Sequence, residues 1–86
     1  MKYIFHEDSG HGWLEVPRAE LNNLGISKEI SHYSYQNRDN VYLEEDCDAR
    51  VFINAKKANG EKVEIDFRFC NGHSEVRNYP SFSHHS

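Results

Sequence analysis

Residues 62–77, KVEIDFRFCNGHSEVR, decide how this chain is read. Val63, Ile65, Phe67 and Phe69 alternate strictly with Lys62, Glu64, Asp66 and Arg68, which is the period of a half-buried strand. Asn71-Gly72 follows, the strongest short-range signal for a hairpin turn. Counting outward from a two-residue turn sets Cys70 opposite His73, Phe69 opposite Ser74, Arg68 opposite Glu75, Phe67 opposite Val76 and Asp66 opposite Arg77. That register places two opposite-charge pairs on the solvent face and an apolar pair on the buried face, so a closing hairpin is predicted.

Upstream, residues 46–60, DCDARVFINAKKANG, read as a helix. Cys47, Val51, Ala55 and Ala58 recur at helical spacing, Phe52 widens the stripe, Ile53 falls off it, and Gly60 is a natural stop. The acidic run before it, Glu44, Glu45, Asp46 and Asp48, does not fit a calcium loop, because Arg50 and Val51 stand where another oxygen ligand and a glycine are required. It fits a helix start. Carboxylates favour the positive end of the helix dipole, Asp46 can cap the first amides, and Asp46 with Arg50 makes an i,i+4 pair.

Nearer the N-terminus, KYIF and GWLEV around HEDSGH read as a first hairpin, with Tyr3 and Phe5 sharing one face and Trp13 and Glu15 facing away from Leu14 and Val16. PRAELNNLGI follows as a short helix opened by Pro17 and stopped by Gly25, with Ile26 returning onto Leu21. EISHYSY and VYL flank the turn cluster QNRDN as a second hairpin. The sum is an α+β domain over residues 1–80, ordered ββ-α-ββ-α-ββ, with an antiparallel sheet and both helices on one face, followed by a flexible polar tail at 81–86.

Composition narrows the function classes. The chain has 86 residues, enough for one small core. Its net charge of -4, with the bases dispersed, supplies no basic stripe for phosphates and disfavours nucleic acid. Single-strand binding by aromatic stacking is the alternative that needs least charge. The first residues, MKYIFHEDSG, resemble neither a spanning helix nor a signal peptide, and Cys47 and Cys70 are too few for a secreted disulfide framework; a cytoplasmic protein without membrane association or disulfides is expected.

Two groups could carry chemistry. His6 and His11 flank the first hairpin loop, and Cys70 and His73 flank the last turn; together they make a small metal-binding or hydrolytic site the alternative function. No paired C-x2-C or H-x3-H spacing supports it, no phosphate loop or nucleophile elbow appears, and no cofactor is expected. Tyr33, Tyr35 and Tyr42 interleave with Arg38 across the second hairpin. Tyrosine and arginine concentrate at the centres of protein interfaces, although tyrosine also fills half-buried strand positions.

HGWLEVPRAELNNLGI, ISHYSY and VYLEEDCDARVF together resemble a group of short uncharacterised proteins of bacteriophages and mobile elements. The resemblance covers most of residues 11–58 and brings no catalytic residue. It implies an accessory protein that acts by binding a host or phage protein, counter-defence inhibitors included, within the bacterial cytoplasm. The expected function is therefore a non-enzymatic protein-binding module, with Glu44, Glu45, Asp48, Tyr33, Tyr35, Tyr42 and Arg38 facing a basic partner. Tyr79 and Phe82, if presented at a sheet edge, would allow a homodimer.

Overall fold

A computed structural model describes residues 2–83. Lys2–Glu7 (β1) and Gly12–Pro17 (β2) form the expected first hairpin, with Phe5 opposite Leu14 and His6 opposite Trp13. Arg18–Leu24 (α1) ends in a Schellman motif: Gly25 sits at φ 70, its N–H donates to the Asn22 carbonyl, and the Ile26 N–H donates to the Leu21 carbonyl at 3.0 Å. Pro17 lies just outside this helix as the last residue of β2, its fixed φ serving the strand-to-helix corner.

The second hairpin is shorter than its sequence implies. Ser27–Glu29 forms a 3-10 turn, residues 31–34 form a loop, and only Tyr35–Asn37 (β3) pairs with Asn40–Glu44 (β4). Asp48–Ala58 (α2) follows, and a second Schellman pattern at Gly60 and Glu61 closes it. Its buried residues are Asp48, Ala49, Phe52 and Lys56, so the stripe lies about one position round from the expected Cys47, Val51 and Ala55. Two polar side chains on that stripe disguised it.

Glu64–Phe69 (β5) is the main departure. It pairs in parallel with β1, setting Ile65 beside Tyr3 and Phe67 beside Phe5, and the sheet order is β3-β4-β2-β1-β5. A parallel neighbour requires a crossover of about a dozen residues, and α2 supplies it between β4 and β5. The expected sixth strand and the wholly antiparallel sheet are thus replaced by a mixed five-stranded sheet. Gly72, at φ 96, does turn the chain, but the turn leads into a 3-10 segment, Glu75–Asn78, in place of a strand. Arg77 pairs with Asp8, not with Asp66, and Asp66 pairs with Arg68 on its own strand.

The α+β class and the placement of both helices on one face stand. Tyr3, Leu14, Val16, Leu21, Val41, Leu43 and Phe52 make the main core between sheet and helices. Trp13, Tyr42 and Val76 make a second cluster on the opposite face, with Tyr35 and Tyr79 packed on it. The C-terminal segment covers that second face with Val76 and Tyr79; beyond it Ser81 bridges to Tyr35, the Phe82 N–H donates to the Ser34 carbonyl, and the Phe82 ring is buried in the main core. Residues 81–83 are therefore bonded to the sheet, with Phe82 buried, in contrast to the flexible tail expected at 81–86, while His84, His85 and Ser86 lie outside the described residues. Among the described residues no helix is long and apolar enough to cross a membrane.

Candidate functional site

A groove of about 540 Å³ opens on the sheet face away from the helices. Trp13 from β2 and Tyr35 from β3 form its floor, their rings meeting edge to face at 6.1 Å. Glu44, the last residue of β4 and the direct neighbour of Trp13, stands at one end. Tyr33, on the loop before β3, forms a wall, 70% exposed and stacked on His32 at 4.7 Å. Arg77 closes the groove from the C-terminal segment with its guanidinium 5.2 Å from the centre of the Trp13 ring, and His11 and Cys47 complete the rim.

The loop that carries Tyr33 is held from beneath by Asp48. This carboxylate is buried at the start of α2 and accepts hydrogen bonds from the Ser31 amide (3.1 Å), the Ser31 hydroxyl (2.6 Å) and the Ser34 hydroxyl (2.5 Å). Ser34 in turn accepts from the Glu44 amide at 2.9 Å, and Ser31 accepts from the Tyr33 amide at 3.2 Å. One buried carboxylate thus fixes the wall and the acidic end of the groove relative to each other.

The groove gathers Tyr33, Tyr35 and Glu44 of the residues expected to bind a partner. Asp48 belongs to the interior and cannot be a surface contact, because it is buried and its Oδ2 accepts from Ser31 and Ser34. Tyr42 lies buried under Tyr79 and beside His6; burial, then the Glu15 charge, push its hydroxyl up to about 12. Arg38 occupies the β3–β4 turn in a separate hollow with Arg18 and Gln36. Glu45 is exposed, close to Gly12 and on the helix-side hollow lined by Phe5 and Ile53; burial first, then Asp46, Glu7 and Glu44, push its carboxyl up. Asp46 does not cap α2: Cys47 takes the cap position without a side-chain bond, and the Asp46 amide instead donates to Glu44 at 2.9 Å.

The alternative metal set is not brought together. His6 Nε2 lies 2.7 Å from Glu15, His11 is on the groove rim, and the Cys70 thiol approaches the backbone carbonyls of Asn71 and His73. Among the described residues no three His, Cys, Asp or Glu side chains are placed to share an ion. Sequence reasoning missed Trp13 and Arg77 as groove residues, since each reads as a strand residue when its own segment is taken alone. No protein-family model matches the chain, and comparison with curated proteins and with solved structures returns no match.

Proposed function

We propose that this chain is a small non-enzymatic protein-binding module that receives a basic segment of another protein in the Trp13, Tyr33 and Tyr35 groove. The observation that carries this reading is Tyr33, a largely exposed aromatic on a loop immobilised by the buried Asp48. An anchor fixed before binding loses little freedom on association, and tryptophan, tyrosine and arginine dominate interface energetics. A lysine or arginine entering the groove would lie against aromatic faces with Glu44 at its end, while the Arg77 charge is already matched by Asp8. Glu45 and Asp46, next to Glu44, add negative potential beyond the rim and would raise the association rate. The resemblance to short phage and mobile-element proteins supports a host or phage protein as the partner and inhibition as the outcome, in the bacterial cytoplasm.

The test uses the full chain as bait, followed by affinity measurement on the recovered protein with Tyr33→Ser and Glu44→Lys variants. Each variant is expected to weaken binding by at least about tenfold, as hot-spot truncations do. Recovery of no specific partner, or binding of both variants as tight as that of the wild type, overturns the reading.

A further inference from the structure

The open edge of β5 carries a self-complementary sequence. β5 has β1 on one side only and is the last strand of the sheet. Phe67 and Phe69 are 67% and 66% exposed, and with Tyr33 they are the exposed large hydrophobic side chains among the described residues. Natural proteins guard such edges with proline, bulges, short strands or charge; this six-residue strand has only the charges of Glu64, Asp66 and Arg68, and the last two are of opposite sign. Backbone polarity fits pairing as well. The Cys70 N–H donates to the Glu7 carbonyl on β1, and successive peptide groups of a strand point to opposite sides, so the N–H and C=O groups of Ile65, Phe67 and Phe69 face the open edge.

We propose that β5 pairs antiparallel with β5 of a second copy, about a two-fold axis between the two Phe67 residues. In this register Phe67 opposes the partner's Phe67, Ile65 opposes the partner's Phe69, and Asp66 opposes the partner's Arg68, with each unlike pair made twice. The outward-facing backbone groups are those of the three apolar residues, so they become the hydrogen-bonded pairs of the ladder. Slipping by two residues one way sets Asp66 against the partner's Asp66, and slipping the other way sets Arg68 against the partner's Arg68. The first slip also brings Glu64 opposite the partner's Arg68, so opposite charges occur in both, and the proposed register is distinguished as the one of the three that sets no like charges opposite each other. The two sheets become continuous with the helices of both copies on one side, and Phe67 lines a hollow of about 460 Å³ whose apolar floor is Phe5, Leu14, Ile53 and Ile65 and whose rim carries Glu45, Arg50 and Lys57. Asp66 and Arg68, now 3.1 Å apart within one strand, are half-exposed to exposed and free to exchange partners across the axis.

Sedimentation equilibrium of the full chain decides this, with circular dichroism confirming that each variant is folded. The wild type is expected to be predominantly dimeric at about 100 µM, that is, with a dissociation constant below that concentration. Asp66→Arg and Arg68→Asp, each alone, set like charges opposite each other and raise the dimer dissociation constant at least about tenfold. The double exchange Asp66→Arg with Arg68→Asp restores it. In a Cys47→Ser, Cys70→Ser background, Phe67→Cys is expected to form an intermolecular disulfide under mild oxidation, since facing residues of such a pair stand about 5.5 Å apart between Cα atoms. A monomeric wild type, single variants that dimerise as tightly as the wild type, a double exchange that fails to recover, or absence of the cross-link each overturns the proposal; the cross-link decides where a charge variant does not fold.

Discussion

Asp8 and Arg77, the two ends of a 69-residue separation, form a bidentate pair: Arg77 Nε donates to Asp8 Oδ2 at 2.6 Å and Nη2 to Oδ1 at 3.0 Å. Asp8 also accepts from the Gly10, His11 and Ser74 amides, each at 2.9 Å, so its buried carboxylate both shapes the first hairpin turn and fastens the C-terminal segment over the second sheet face. Through it the C-terminal segment is tied to the first hairpin turn where Val76 and Arg77 pack on Trp13, and Arg77 is held at the end of the candidate groove.

The pH dependence follows. The Arg77 guanidinium and then the Ser74 amide, joined by the His11 and Gly10 amides, hold the Asp8 carboxyl well below the usual carboxylate range against the opposing effect of burial. A group whose value is lowered on folding stabilises fully above its unfolded value, about 3.9, and loses that contribution as pH falls toward the folded one. Asp8→Asn is expected to lower the thermal midpoint by about 10 °C near pH 7 and by clearly less near pH 2, a size typical of losing a buried charged network in a domain of this length. Thermal unfolding followed across that pH series measures it. An equal loss at both ends would show that the charge of Asp8 contributes nothing.

Lys56 gives the opposite sign. Its side chain is 4% exposed, with Nζ 2.8 Å from Glu20 and 2.9 Å from Glu61, and Tyr3 donates its hydroxyl to Glu20. Glu20 and then Glu61 raise the lysine above its ordinary range, so its contribution is complete below about pH 10 and is lost as pH rises through the raised value. Lys56→Met leaves the Glu20 carboxylate with only the tyrosine, and a cost of about 3 kcal/mol is expected. Adding Glu20→Gln removes the stranded charge and should recover part of it. Urea unfolding of the two variants is the check, and a double variant less stable than the single contradicts the assignment.

Asp48 is expected to act on the groove through its loop. Asp48→Ala removes three hydrogen bonds to a buried carboxylate and should cost about 3 kcal/mol, charge-assisted bonds being the strong ones. It should also speed amide exchange at Ser31 and Glu44, whose protection depends on this network. Hydrogen exchange read residue by residue would reveal a loss of stability without local loosening, which would separate Asp48 from the positioning of Tyr33.

What was legible in the sequence was local. The first hairpin, the Gly25 and Gly60 helix stops and the Leu14/Val16 face all follow from periodicity and turn chemistry within about ten residues. The partner of β5 was not legible, because strict alternation states that a strand has two unlike faces and says nothing about which neighbour it takes. Asn71-Gly72 made a turn, yet its exit was decided by Asp8, far away in sequence. The α2 stripe was misplaced for a related reason: Asp48 and Lys56 count as surface residues until Ser31, Ser34 and Glu20 are seen to satisfy them. Tyr33, Tyr35 and Glu44 stood out within their own segments, whereas Trp13 joins them through the β2–β4 pairing and Arg77 through the Asp8 clamp, both long-range in sequence.

Arg38 offers a test of the turn that precedes β4. It occupies the two-residue connection between Asn37 and Asn40 at φ 58, the only non-glycine residue with positive φ among those described, and its side chain is exposed. An L-residue there carries about 1 kcal/mol of strain, which glycine relieves while losing a similar amount through the greater freedom of its unfolded chain. Arg38→Gly is therefore expected to be neutral within about 0.5 kcal/mol. A β-branched replacement crowds the same backbone without compensation, so Arg38→Val should cost about 1–2 kcal/mol. The contacts that fasten the turn, the Arg18 amide to the Asp39 carbonyl at 2.7 Å and the Arg18 guanidinium to the Arg38 carbonyl, use backbone acceptors and survive both changes. The difference between the two variants in urea unfolding thus isolates the backbone conformation from any role of the guanidinium, and equal stability of the pair would mean that the turn relaxes out of the left-handed region at no cost.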